Sequence, residues 1–431
     1  KNTAVGSGVL ANNTTADKNT GLGFEALTQN TTGTSNTAIG AHALDACTTG
    51  SYNTAVGEAS MSAQTGTSRN TGVGYQTLNS STCADNTAIG YQALAVQTTG
   101  NGRNTAVGSY AGSQMTTGDE NTIMGWYALY GVTTGEENTA IGRNANRGGN
   151  TSYCTALGFN SLENNTANEI TAVGHSALRA NTTGLRNVAI GFECLTSNTD
   201  SDELTAIGYK ALKENTTGTK NVAIGTYTLD SNTTGSSNIG IGYLTLHSCT
   251  TGDNNVCIGS NAGDGITTGS DNIFIGKGVA DGGSFSTGDN NIIIGVDQNP
   301  SLASQSNELK LGNGSTSVFR CNVQSISSLS DVRDKTDIVD IPDGLNFINS
   351  VRPVKYKWDR RRPDDTCGLV RAGFIAQELQ EAQKGSEYLD LIHDADPEFL
   401  EAKQGNLLPV MVKAIQELSA EVEQLKSQLN N

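Results

Sequence analysis

The stretch SDVRDKTDI, residues 330–338, holds the pair of residues best suited to chemistry. Ser330 offers a hydroxyl that could attack a carbonyl, and Lys335, five positions on, offers an amine that could take its proton if the amine is neutral. Chance supplies such pairs readily, so the spacing alone assigns no role. Other chemistries are less well provided for. Eight cysteines (Cys47, Cys83, Cys154, Cys194, Cys249, Cys257, Cys321 and Cys367) are scattered without CxxC spacing among only four histidines, so neither a metal nor a cofactor is expected. Scattered free thiols suit folding in a reducing cytoplasm. No pair of carboxylates stands out from the turn-like acids as glycosidase machinery.

The elements that must position Ser330 and Lys335 follow from a division in the chain. All six prolines lie at or beyond Pro300. Residues 1–299 carry 12 Lys/Arg and 23 Asp/Glu, and residues 300–431 carry 15 and 20, so charge is far denser in the shorter part. The net charge of -16 opposes nonspecific attraction to nucleic acid or anionic lipid, and no apolar run approaches membrane-spanning length, so partners of neither kind are expected. The sequence opens at Lys1 in mid-pattern, and an upstream segment is expected.

Before that division the chain repeats. Glycines from Gly6 to Gly312 recur nineteen times over 306 residues, a mean period of 17. Asn stands four before the glycine in fifteen units, an aliphatic residue always stands just before it, and Leu follows four after it in twelve. The unit N-T-A-[VI]-G-x-x-A-L-x-x-N-T-T-G cannot bury an apolar side alone, so it predicts stacked coils of a parallel β-solenoid over residues 1–312. We expect two short strands per coil. The aliphatic residue before the glycine should face one side to form a thin core with the leucine, and the small Ala or Gly should face the other, where chains could approach closely. Asn and Gly of N-T-T-G should make the corner. Missing proline fits, because each coil needs its backbone donors.

These N-T-A-[VI]-G units resemble the left-handed parallel β-roll in the heads of trimeric autotransporter adhesins and similar repeats in phage tail fibres. The resemblance implies a trimeric rod. An ice-binding threonine lattice is disfavoured because Val188, Val222, Ile239, Val256, Ile273 and Ile292 interrupt it. Aromatics after the repeat glycine, such as Tyr75, Tyr91, Trp126, Phe159 and Phe192, could stack on receptor sugars, but filling the corner between coils or subunits explains them better.

A Ser/Thr-rich neck, residues 313–329, leads into the denser region 330–431. There Leu408, Met411, Ile415, Leu418, Val422, Leu425 and Leu429 form an a/d seam that predicts a coiled-coil helix over 408–429, with Pro409 in its first turn. By the a/d rule Ile and Val at a with Leu at d lean towards a dimer, against the trimer that the repeats imply. SDVRDKTDI, VRPVKYKW (351–358), GFIAQEL (373–379) and LLPVMVKAIQELSAEVEQL together resemble the endosialidase-type intramolecular chaperone that ends phage tail spikes and fibres. That resemblance implies a small α+β domain that assembles a trimer and then cuts the chain, with Ser330 as nucleophile, Lys335 as base and Leu329–Ser330 as the severed bond. The chemistry is feasible: Ser330 reaches the preceding carbonyl through a five-membered ring. Asp331, Asp334 and Asp337 favour the charged amine, so burial or Arg333 must oppose them. Five residues turn a helix by about 140° and end on the opposite face of a strand, so a turn or a second subunit must close the dyad. The function expected is a virion tail-fibre segment, folded in the host cytoplasm, that binds a host cell-surface glycan or protein. The alternatives are a bacterial surface adhesin, or a depolymerase whose catalytic domain lies outside this sequence.

Overall fold

The computed structural model describes residues 1–282, 286–300, 304–313, 315–316, 332–359, 368, 370–394 and 400–429. The chain divides into two compact units, Lys1–Leu311 and Gly312–Asn431.

The first unit is a parallel β-solenoid. Nineteen strands, β1 (Thr3–Val5) to β19 (Leu309–Leu311), each contain three residues and pair in parallel with the next, as in Thr37↔Thr54 and Ala38↔Ala55. One strand per coil, and not two, is what the seventeen residues provide; the segment carrying the leucine is a turn. The reason lies in the backbone. Leu27, Leu44 and Leu78 sit at φ 54°, 48° and 48°, the left-handed region that a continuing strand cannot use. That conformation costs about 1–2 kcal/mol per non-glycine residue. Burying a leucine completely returns roughly 1.5–3 kcal/mol, and all three are completely buried.

The expected facing of the strands is also inverted. In β2 to β18 the middle residue is buried, and the residues on either side of it are half-buried or exposed. Ala38, Ala55 and Ala88 face the interior, while Ile39, Ile89 and Met124 face out. In the twelve coils that carry it the leucine already fills the interior, which in most of them leaves room under the strand for a small residue only. Exceptions keep the volume constant. Where the inward residue grows to Ile123 the leucine position becomes Gly112, whose added Cβ would stand 2.8 Å from Ile123 Cδ1. Where it becomes Cys257, the leucine position is Gly263, with a Cβ 2.6 Å from the sulfur. At these two places a larger inward residue is met by a glycine in its own coil or the one before it, as close packing requires.

Two internal polar columns hold the coils in step. Asn36 donates its backbone N–H to Asn19 Oδ1 at 2.9 Å and its Nδ2 to the Gly50 carbonyl at 2.8 Å, and Asn53 repeats the pattern on Asn36. The asparagine of N-T-T-G forms the second column, as in Asn232 Nδ2 to Asn215 Oδ1 at 2.9 Å. It is buried, and its side chain also closes the N-T-T-G corner from inside, as in Asn215 Nδ2 to the Gly218 carbonyl at 2.9 Å. The repeat glycine does serve close approach: Gly40 has φ 133°, and a Cβ there would meet the Gly57 carbonyl oxygen at 2.5 Å.

The second unit is small and mixed. Helix α1 (Leu345–Ser350) precedes the antiparallel pair β20 (Val354–Lys357) and β21 (Val370–Gly373), then α2 (Ala376–Ala382), the short pair β22 (Ile392–His393) and β23 (Glu401–Ala402), and α3 (Leu408–Leu429). Phe347, Leu379, Leu391, Leu407 and Val410 join in its core. Helix α3 spans the expected residues, with Pro409 in its first turn. Val410 and Ala414 face this core, whereas Met411, Ile415, Leu418, Val422, Leu425 and Leu429 are exposed along the heptad seam.

Candidate functional site

Leu329, Ser330 and Asp331 lie outside the described residues, and Lys335 lies within them. A turn of 3-10 helix, Val332–Asp334, occupies the interval between the two dyad positions, and Lys335 N–H donates to the Val332 carbonyl at 3.3 Å to close it. The spacing argument called for a turn or a second subunit to bring residues 330 and 335 together, and with Ser330 outside the described residues this turn does not decide between them. Lys335 is exposed, and the chain from Thr336 to Asp340 is exposed with it.

Beyond that segment the backbone is fastened at two neighbouring points. The Tyr388 hydroxyl donates to the Asp343 carboxylate. Burial, and then that carboxylate, push the tyrosine up to about 12. Leu345 N–H, the first of α1, donates to Glu417 Oε2 of α3 at 2.7 Å. Gly344 makes this contact possible, since a Cβ there would lie 2.3 Å from the same oxygen. A helix with no side-chain cap of its own thus borrows one from a residue 72 positions away. Sequence reasoning missed Glu417. Its signal was an acid at 417, in line with Val410 and Ala414 on the inner face of a helix, where an apolar residue would be the rule. Farther on, Arg352 Nε donates to Glu378 Oε2 at 3.0 Å, and the guanidinium holds that carboxyl below its ordinary value; both groups are fully exposed, so solvent screens the pair.

The other candidates are structural. Burial pushes the thiols of Cys154 and Cys194 up to about 11 and about 12, which removes them as nucleophiles. Cys321 and Cys367 lie outside the described residues. The aromatics form a column along the rod. Tyr75 stacks on Tyr91 at 5.2 Å, Phe159 on His175 at 5.1 Å, His175 on Phe192 at 5.0 Å and Phe192 on Tyr209 at 5.3 Å. Arg143 bridges Trp126 and Phe159 at 4.6 and 5.4 Å from their centroids. Where rings stack in this way, neighbouring coils cover part of the faces that a sugar would need, while the ring edges stay exposed. Among the described residues no group of three or more His, Cys, Asp or Glu could hold a metal ion, and no helix is long and apolar enough to cross a membrane.

Residues 330–387 match the family model described as chaperone of endosialidase, and the match opens at Ser330. It takes in the 3-10 turn, α1, both strands of the first antiparallel pair and α2. No curated protein and no solved structure matches the chain.

Proposed function

We propose that the chain is a segment of a trimeric fibre that attaches a virion to its host, and that its C-terminal unit is an intramolecular chaperone that drives assembly and is then cut away. The observation that carries this reading is the order of the parts: a nineteen-coil solenoid is followed by a segment that matches a chaperone of endosialidase from Ser330 onwards. A repeat that looks alike from coil to coil leaves the register between chains open, and a terminal chaperone supplies a means to set it.

The cutting chemistry is intramolecular. Ser330 Oγ attacks the Leu329 carbonyl, Lys335 takes the hydroxyl proton, and the peptide C–N bond breaks as the ester forms. The freed amine of Ser330 accepts a proton. Water then hydrolyses the ester and leaves Leu329 with a carboxylate. Proximity comes from the chain itself, and the turn at Val332–Asp334 supports the approach of the lysine to the serine. The fibre would fold in the host cytoplasm and function on the virion, with a cell-surface glycan or protein as its receptor.

Mass measurement under denaturing conditions with light scattering of the native particle tests the assembly reading. Three copies per particle, and chains divided after residue 329, are expected. A stable monomer refutes it. The purified rod should bind susceptible cells and compete with virion adsorption without releasing sugar; released fragments of host polysaccharide would make it a depolymerase instead.

A further inference from the structure

Strand parity turns the first and third residues of every rod strand outward. Over all nineteen strands these positions hold only Thr, Val, Ile, Leu or Met, never a charged residue, in a chain of net charge -16. We infer that this stripe is where identical copies of the chain meet, and that its C-terminal eight coils start the association, which then closes towards the N-terminus. The inference rests on the self-assembly proposed above and assigns it a surface and a direction.

The size of the stripe argues for a macromolecular occupant. At ~4.8 Å per coil and ~3.3 Å per residue it is on the order of 85 Å long and 10 Å wide, or roughly 850 Å². A standard interface buries about 800 Å² per partner, the same order as this stripe. Its period argues for a second copy. Side chains that interdigitate along the whole stripe must repeat at the same strand spacing, and a copy of this chain does. Charge agrees, because two acidic chains approach most easily where neither carries charge. This also corrects the expectation that small residues mediate the approach: Ala38 and its equivalents are interior, and Ile39 and its equivalents are presented.

Direction comes from a change along the stripe. The first eleven strands all open with Thr, from Thr3 to Thr171. Seven of the last eight open with Val, Ile or Leu, beginning at Val188, with Thr205 the exception. The third position becomes Ile in seven consecutive strands, from Ile190 to Ile294. Thr and the β-branched aliphatics are all good strand formers, so the change leaves the coil's tendency to form alone and alters what its outer face offers. Threonine hydroxyls stay hydrated while the face is uncovered, whereas a doubly aliphatic face gains from every square ångström removed from water. The C-terminal coils therefore have the larger driving force. They are also the part of the rod nearest in sequence to the chaperone match.

The test uses the full chain with Ser330→Ala, so that the C-terminal unit stays attached. One variant carries Val222→Thr, Ile239→Thr, Val256→Thr, Ile273→Thr and Ile292→Thr, which extends the N-terminal pattern. The other carries Ile39→Thr, Val56→Thr, Val73→Thr, Ile89→Thr and Val107→Thr. Both sets lie on the outer face and leave the alanine and leucine interior intact. After dilution from denaturant, time-resolved light scattering should show association slowed at least about tenfold in the first and within about twofold of the parent in the second. Amide exchange in the second should quicken over residues 37–107 only. Equal slowing in both variants, or none in the first, overturns the inference while leaving assembly itself standing; a monomeric parent overturns both. Ile239→Thr alone, expected to slow association more than Val56→Thr alone, keeps the comparison if a fivefold variant fails to fold.

Discussion

Asn238→Asp isolates what the inner asparagine column contributes, because it changes one donor and almost no shape. Asn238 is fully buried. Its Nδ2 donates to the Gly252 carbonyl at 2.7 Å, and its Oδ1 accepts from Asn255 N at 2.9 Å and Asn255 Nδ2 at 3.1 Å. The substitution keeps both acceptor contacts but sets a carboxylate oxygen against the Gly252 carbonyl at hydrogen-bond distance. Staying ionised there costs several kcal/mol. Binding a proton, which lets the acid donate to Gly252, costs about 1.36 kcal/mol for each pH unit above the ordinary aspartate value of about 3.9, or roughly 4 kcal/mol at pH 7. The folded state thus raises the pKa of the introduced carboxyl. The variant should approach wild-type stability below about pH 4 and lose it steadily as pH rises. Asn238→Ala loses all three contacts at about 1 kcal/mol each, roughly 3 kcal/mol, without pH dependence. Because coils lean only on their neighbours, the loss should concentrate around residues 238–255. Amide exchange there, followed from pH 4 to 7 with thermal melting, reads it directly. Equal protection at both ends of that range, or a parallel pH dependence in Asn238→Ala, would refute the reasoning.

Four further outcomes are expected. Wild-type chain should divide into residues 1–329 and a 102-residue remainder, while Ser330→Ala and Lys335→Ala stay whole on denaturing gels. Normal cutting by Lys335→Ala would remove the lysine as the base. Gly40→Ala, whose Cβ meets Gly57 O at 2.5 Å from a φ of 133°, should cost about 3 kcal/mol or more, whereas Gly66→Ala, with only Thr49 Oγ1 at 3.2 Å, should cost about 1 or less by denaturant unfolding. Burial raises the thiols of Cys154, Cys249 and Cys194 from 9.0 to about 11, about 11 and about 12, so they should resist alkylation in the folded rod at pH 8. Their stabilisation is fully present below the unfolded value and should decline between about pH 9 and 12 as unfolded thiols ionise first, visible as falling melting temperatures. Glu417→Ala should free the Leu345 amide to exchange and loosen α1 by about 1–2 kcal/mol, and Glu417→Gln, which can still accept that bond, should restore most of it.

The sequence by itself determined the parts that depend on short-range repetition. The glycine period carried the coil length, and the coils pair in parallel at that spacing from Thr3 to Leu311. The three-four alternation of apolar residues carried helix α3, whose ends at Leu408 and Leu429 coincide with those of the pattern. Four ordered motifs taken together carried the resemblance to a chaperone of endosialidase, and the first three of them lie within the matched residues 330–387. Closure of the coil decided the rest. Alternation along a strand says that Ala38 and Ile39 face opposite sides, but only the space left by Leu27 and Leu44 decides that the alanine is inside. A leucine in the left-handed region is an unfavourable choice locally and becomes affordable only once its side chain is buried by the next coil. Glu417 could not be read as a cap for Leu345, because 72 residues separate the two and packing alone brings them together. Periodicity is a property of neighbours in the chain; inside and outside exist only after distant residues have enclosed a volume.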